Sequence, residues 1–350
     1  MELAFASLLR DNPAMHITIV YLGKMPVPPP LYGGGQRVMF WLGKALVQLG
    51  HKVTLIANRD SHIPGVELRP LPDPECKDDS WAKLIPDTTD ILHLRAPPKG
   101  LMPKPFVVTI GGNGRPGETF PRNTIFLSRN HAANHQSRHF VHNGLDPDEY
   151  QFSPTREDYA VFLAKASWDV KNVSGAIAVC RRAAVELHVI GSRNWPLGLH
   201  RLLPPIRGVH YHGRLGQREK IPLLAQARCL IFPVRWHEPY GNAVNEALVS
   251  GCYVAATPYG SLPEIVTSQV GVLSQRVEEL AEVVKSPGRF LPQDCRNRVI
   301  LGGLTHIDMA RNYLAYYERV LATGGLGEKD EPAPATRPGF EANRLLDWVN

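Results

Sequence analysis

At 350 residues the chain is too long for one ordinary core and comfortable for two. Its 43% apolar and 21% charged content fits a soluble globular protein, and a net charge of +6 by itself selects no partner. No apolar run reaches the roughly 18 residues of a membrane-spanning helix. The five cysteines (Cys76, Cys180, Cys229, Cys252, Cys295) are scattered, with neither disulfide nor zinc spacing, which points to reduced thiols in a cytosolic protein.

Residues 1–14 include Leu3, Phe5, Leu8 and Leu9 but lack the basic start and small-residue cleavage site of a signal peptide, so they read as an N-terminal extension. Residues 16–22 (HITIVYL) are apolar and β-branched, the pattern of a buried parallel strand. A Pro- and Gly-rich loop follows. Residues 38–49 then carry apolar positions at helical spacing, closed by Gly50. With a strand at 53–57 this makes a strand–loop–helix–strand unit, the opening of a doubly wound α/β sheet. Further strands are expected at 91–94, 106–110, 125–127 and 140–142.

The turn-rich stretch 143–155 (NGLDPDEYQFSPT) marks a boundary. Residues 15–150 are expected to form one Rossmann-like domain and 151–305 a second. The second set has strands at 159–164, 186–190, 209–212, 229–234 and 253–256, with helices near 172–183, 217–227, 242–250 and 276–285. Residues 306–322 predict a final helix that crosses back to the first domain. Residues 323–350 read as a flexible Gly/Pro/charge-rich tail, with a short amphipathic turn near its end.

Charge is unevenly spread. Arg95, Lys99, Lys104, Arg115, Arg122, Arg129 and Arg138 face only Glu118 in their stretch of sequence, with His131, His135, His139 and His142 interleaved or following. The stretch reads as a solvated basic face, or as a surface for an anionic acceptor or an anionic membrane leaflet. No nucleic-acid recognition motif accompanies it.

Chemistry concentrates in residues 230–266 (LIFPVRWHEPYGNAVNEALVSGCYVAATPYGSLPEIV). A strand ends, a loop holds Glu238, and a helix opening near Gly241 carries Glu246. Ligands of open α/β sheets bind beyond the carboxyl ends of strands. Carboxylates there pair with vicinal hydroxyls, because each accepts two hydrogen bonds. Gly241 lets backbone approach a ligand, and the helix start offers free N–H groups. In residues 159–172 (YAVFLAKASWDVKN), Lys165 follows a strand and Lys171 enters a helix, two cations placed to offset a diphosphate leaving group.

This segment resembles the family 4 glycosyltransferases, which retain anomeric configuration, have the GT-B fold and carry an E-x7-E hallmark. The resemblance implies Glu238 beside the donor sugar, Glu246 on the nucleotide ribose, and backbone contacts from Tyr240, Gly241, Asn242 and Ala243. It also implies Lys165 and Lys171 at the diphosphate, Gly213 and Arg214 beside the base, and Gly34 and Gly35 (of Gly33–Gly34–Gly35) near the diphosphate or acceptor. Glu264 matches a Gly-x-x-Pro-Glu element and reads as a loop anchor. Lys220 reads as a helix-surface residue. Asp146-Pro147-Asp148 has the form of a metal-binding D-x-D but reads as a turn, and no metal or cofactor is expected beyond the nucleotide-sugar substrate.

The first domain departs from the family. ILHLRAPP keeps His93 but places Arg95 where a second histidine is common, and VVTIGGNG places Gly111 where another is common. His93, Arg95 and Asn113 are the acceptor-side candidates. The expected activity is metal-independent transfer of a sugar from a nucleoside-diphosphate sugar to a glycan or lipid-linked acceptor, in bacterial envelope polysaccharide or lipopolysaccharide assembly. The expected place is the cytoplasm or the inner face of the membrane. Two alternatives remain: a catalytically impaired binding or partner subunit, and a sugar-nucleotide epimerase of the same fold.

Overall fold

The computed structural model describes residues 13–76, 78–191, 206–327 and 332–350. The extension expected at 1–14 lies, up to residue 12, outside the described residues.

Among the described residues, twelve strands form two six-stranded sheets, and every ladder within them is parallel. The first sheet contains β1 (His16–Val20), β2 (Lys52–Ala57), β3 (Glu67–Pro70), β4 (Ile91–Leu94), β5 (Phe106–Thr109) and β6 (Thr124–Ile125) in the order β3-β2-β1-β4-β5-β6. The second contains β7 (Tyr159–Leu163), β8 (Glu186–Ile190), β9 (Val209–Gly213), β10 (Cys229–Phe232), β11 (Tyr253–Ala256) and β12 (Gly271–Leu273) in the order β12-β11-β10-β7-β8-β9. Counted from its own first strand, each sheet has the same doubly wound order, with its switch point between first and fourth strands. β1, β4, β7, β10 and β11 are buried along their whole length, as apolar runs covered on both faces must be. β9 is the exposed edge.

Helices cover the sheets: α1 (Gly34–Gln48), α2 (Arg129–Asn134), α3 (Val173–Ala183), α4 (Gln217–Gln226), α5 (Asn242–Val249), α6 (Leu262–Ile265), α7 (Val277–Lys285), α8 (Pro292–Ile300) and α9 (His306–Thr323). α9 opens with a capping box between Thr305 and Asp308 and ends at Gly324 in the left-handed region. It crosses back to the first domain. Tyr313 and Tyr317 pack on β4 and β5, and His306 reaches Gln48 at the end of α1.

Two expectations fail here. The strand expected at 140–142 is a single bridge, Phe126 to Phe140. The tail is not a free end, because residues 332–350 run across both domains. Phe120 N–H donates to Pro334 O, Thr336 N–H to Glu118 O, and Thr336 Oγ1 lies 3.0 Å from His135 Nδ1. Further on, Leu346 N–H donates to Arg235 O, Arg235 Nε donates to Leu346 O, and Val349 N–H donates to Gln275 O. Phe340 and Thr336 are buried. Composition predicts freedom for such a segment, but paired backbone and a few anchors override it. The short turn near the end is present, with Arg344 N–H donating to Glu341 O, and beyond it Val349 is bridged to Arg276.

Candidate active site

Both switch points open onto one cavity of about 610 Å³ between the domains. On the second-domain side, β10 ends at Phe232 and the chain turns through Trp236 to Glu238. Glu238 is buried, and its Oε2 accepts from Lys171 Nζ at 2.5 Å and from Trp236 Nε1 at 2.8 Å. Lys171 also lies 4.6 Å over the Trp236 ring, so the cation is held between a carboxylate and an aromatic face. Glu246 is the fifth residue of α5, just over one turn in, and its Oε2 pairs with Lys220 Nζ.

That pairing corrects the surface reading of Lys220. It stands in the first turn of α4, which opens beside α5 at the cavity, and it lines the cavity with Glu246. Two lysine–glutamate pairs, each with side chains 14% exposed or less, thus stand at the carboxyl end of the second sheet. Breaking one of them would leave an uncompensated buried charge.

The local chain geometry serves these pairs. Gly241 takes φ 85 ahead of α5, and Asn172 takes φ 55 ahead of α3. Asn172 tolerates this backbone, as asparagine can, while doing more. Its Oδ1 accepts from Gly175 N–H, and its Nδ2 donates to Pro233 O, tying the Lys171 turn to the end of β10.

Tyr240, Gly241, Asn242, Ala243, Arg214, Gly34, Gly35 and Asn113 all line the same cavity. Lys165, Gly213, His93 and Arg95 do not. Lys165 Nζ lies 4.5 Å over the Trp168 ring at the cavity's flank. Gly213, at φ 69, turns the chain so that Arg214 lines the cavity instead, and its carbonyl accepts from Gly191 N–H. Sequence reasoning missed Tyr32, Trp168, Trp236, and Ala342 and Asn343 of the tail, all of which line the cavity. Only the aromatic residues flanking each charged motif gave any signal.

The first-domain side is built differently. His93 is fully buried, with Nδ1 2.6 Å from Tyr317 Oη and Nε2 3.0 Å from Thr109 Oγ1. Burial, with the Arg95 charge, lowers its pKa to about 3. Both ring nitrogens are engaged and turned toward α9, so His93 is a structural histidine and not an acceptor-side group. His131 is likewise buried. Its Nδ1 accepts from Leu127 N–H, so Nε2 carries the proton and donates to Gly112 O at 2.9 Å, fixing the loop after β5.

Arg95, at the end of β4, lies against that loop. A Cβ added at Gly111 would stand 2.9 Å from Arg95 Nη2, and one at Gly35 3.8 Å away. The two departures from the family pattern are therefore one feature: glycine at 111 makes room for the guanidinium. Arg95 Nε and Nη1 are buried without a hydrogen-bond partner, and among the described residues no carboxylate pairs with Arg95. The basic stretch is not one face. Arg95 is half-buried, and His131, His135 and His139 are core residues, while Arg115, Arg122, Arg129 and Arg138 are exposed.

The two sides are joined by polar contacts. Asn113 Nδ2 donates to His237 O at 2.8 Å, and Asn143 Nδ2 to Asn242 Oδ1 at 2.9 Å. Glu264 reaches from α6 to the first domain, accepting from the N–H groups of Arg129 and Asn130 and from His142 Nε2, each at 2.9 Å. It is an anchor between domains. Asp146 is a turn residue, accepting from Asp148 N–H and paired with Lys44 at 2.5 Å.

Residues 158–286 match the family model for glycosyl transferases group 1. The match falls on the second domain, the one that carries both lysine–glutamate pairs. No curated protein sequence matches it. Among solved structures it is similar to AviGT4, a glycosyltransferase involved in avilamycin A biosynthesis, at 24% identity, covering 88% of this chain and 98% of that one with a TM-score of 0.75. Sucrose-phosphate synthase of Thermosynechococcus elongatus is similar at 15% identity over 88% and 99% of the chains, TM-score 0.69. HepE of Anabaena, solved with UDP-glucose, is similar at 12% identity over 87% and 100%, TM-score 0.63. These likenesses establish the fold, the GT-B arrangement of two Rossmann-like domains facing a crevice. No described helix is long and apolar enough to cross a membrane.

Proposed function

We propose that this glycosyltransferase is a retaining enzyme that transfers a sugar from a nucleoside-diphosphate sugar to a glycan or lipid-linked acceptor, with no metal at the reacting centre. One observation carries the reading. Two buried lysine–glutamate pairs, Lys171–Glu238 and Lys220–Glu246, stand at the second domain's switch point in a cavity that both domains line. Glu238 orients the sugar hydroxyls and Glu246 the ribose. Lys171 faces the diphosphate, with Lys165 close by, where negative charge grows as the bond breaks. Arg214 lies beside the base.

The acceptor hydroxyl oxygen attacks the anomeric carbon as the bond from that carbon to the β-phosphate oxygen breaks. The departing phosphate oxygen takes the hydroxyl proton on the same face, so no protein base is required. This accommodates the first domain, where His93 is engaged with Tyr317 and Thr109 and Arg95 cannot act as a base. Arg95 instead offers a guanidinium to an anionic group, which suits a phosphate- or carboxylate-bearing acceptor of the cell envelope. Work on such acceptors places the enzyme at the cytoplasmic face of the membrane, with Arg115, Arg122 and Arg129 as exposed cations toward anionic lipid.

A thermal-shift screen with uridine, guanosine, adenosine and thymidine diphosphates and their sugars tests the donor half. One nucleotide family should stabilise the protein, and Glu246→Ala should abolish that shift. Equal shifts in wild type and variant would remove the donor assignment. The arrangement of Arg95 and Gly111 favours one competing reading, a subunit that binds donor without turning it over. Nucleotide binding with no glycosylated product in envelope acceptor pools would select it.

A further inference from the structure

Outside the cavity, the edge of the second sheet gathers four side chains suited to one ligand. Glu186 and His188 lie two residues apart on β8, and His210 and His212 two apart on β9. Alternation along β8 puts its pair on one face, and the ladder sets His188 directly opposite His210. The ring centroids of His188 and His210 are 4.9 Å apart, as are those of His188 and His212. His210 Nε2 lies 3.3 Å from Glu186 Oε2. One ligand atom each from Glu186, His188 and His210 fall within 4.8 Å of one another.

Two further observations separate this group from an ordinary polar edge. His188 Nδ1 and His212 Nε2 are buried and have no hydrogen-bond partner. Buried polar atoms normally have one. The cluster is also backed by a fixed wall, since Tyr159 stacks on His188 at 4.2 Å and 11°, with its hydroxyl donating to Leu223 O.

We propose that Glu186, His188, His210 and His212 hold one divalent metal ion of the zinc class, clipping the edge strand β9 to β8. Three imidazoles and a carboxylate suit zinc and its neighbours, not magnesium or calcium. At zinc–nitrogen distances of about 2.0–2.1 Å, ligand atoms around a tetrahedral ion stand roughly 3.3 Å apart. The present spread closes by side-chain rotation. None of the four lines the cavity, so the ion plays no part in the transfer step. Its effect is on β9, which leads through Gly213 to Arg214 at the cavity.

The test uses the full chain without an affinity tag, stripped with chelator and titrated with cobalt(II) and then zinc(II). Wild type should take up one cobalt per chain with the visible absorption of a four-coordinate ion, lose it to zinc, and gain thermal stability. His188→Phe keeps the stack on Tyr159, and His210→Gln keeps a polar edge. Each should weaken binding by at least roughly a hundredfold, beyond the cost of losing an outer partner alone. His62→Ala, at an exposed histidine of the first domain, should change nothing. Melting in chelator reports whether the variants fold, and X-ray absorption of the wild-type zinc form should count three imidazoles. No uptake by wild type, equal uptake by His188→Phe and His210→Gln, or a shell containing sulfur would overturn the site.

Discussion

The two sheets share a strand order, yet their switch points are opposite in electrostatic design. At the second, Lys171 and Lys220 each face a glutamate, and every formal charge of the pairs is matched before any ligand arrives. At the first, Arg95 has no carboxylate among the described residues, and the histidines beside it are held neutral, His93 and His131 each at a pKa of about 3. A matched pocket is preorganised, so ligand hydroxyls and phosphates exchange with groups already in place. An unmatched guanidinium instead awaits charge from outside. One fold, used twice, thus offers a finished site on one side and half of an ion pair on the other.

The largest effect should come from breaking a matched pair. Glu238→Ala strands Lys171 in a buried place, a change that typically costs about 3–5 kcal/mol. Donor-dependent kcat/KM should fall by at least roughly a hundredfold, with a lower melting temperature, since about 1.4 kcal/mol corresponds to each factor of ten. Lys171→Ala should behave similarly, whereas Lys165→Ala should cost much less, because Lys165 rests on Trp168 at the flank. Equal losses at the two lysines would erase the distinction drawn from the cavity.

The unmatched side is tested by a double-mutant cycle. Gly111→Ala brings a Cβ to 2.9 Å from Arg95 Nη2, so the guanidinium must shift. The change should raise the KM for acceptor with little effect on donor affinity, and Arg95→Gln should do the same. The two should be non-additive by about 0.5–3 kcal/mol, as expected for groups in contact. Additive losses, or loss of donor affinity in both, would show that Arg95 and Gly111 are not one acceptor-side feature.

Much of this contrast was legible in the sequence, for a physical reason. Parallel strands buried on both faces leave mostly apolar runs, so β4 and β11 were readable to the residue. Glu238, Glu246 and Lys171 stood out as charged residues at strand ends and helix starts, and all three line the cavity. What failed depended on partners distant in sequence. His93 looked like a site residue until Tyr317, from α9, took its Nδ1. Lys220 looked like a surface lysine until Glu246 faced it. The tail looked free because Gly, Pro and charge describe its own preferences and not the backbone it meets. β3 (ELRP) is polar and only partly buried, so it leaves no apolar run, and β12 has only three residues.

Acid should separate the two sides in a graded way through Glu264. Burial acts to raise its pKa, but hydrogen bonds from His142 and from the N–H groups of Asn130 and Arg129 outweigh it and hold the value below the usual carboxylate range. The sign follows: stability from this anchor is complete above the unfolded-state pKa of about 4.3 and is lost as pH falls through the lower folded value. Urea melts of wild type and Glu264→Gln should therefore differ most near neutrality and converge in acid. A difference that stayed constant with pH would assign Glu264 a purely steric role.

The smallest change concerns the strap that crosses both domains. Thr336→Val keeps the side-chain shape but removes the hydroxyl 3.0 Å from His135 Nδ1. His135 Nε2 already lacks a partner, so the substitution would leave the whole buried ring without a hydrogen bond. The expected cost is about 1 kcal/mol, read as a lower urea midpoint with an unchanged slope. Because Thr336 sits on the first-domain part of the strap, nucleotide affinity at the second domain should not move. A loss of donor affinity in Thr336→Val would mean that the strap sets the spacing of the two switch points, carried along the same segment to Ala342 and Asn343 at the cavity wall.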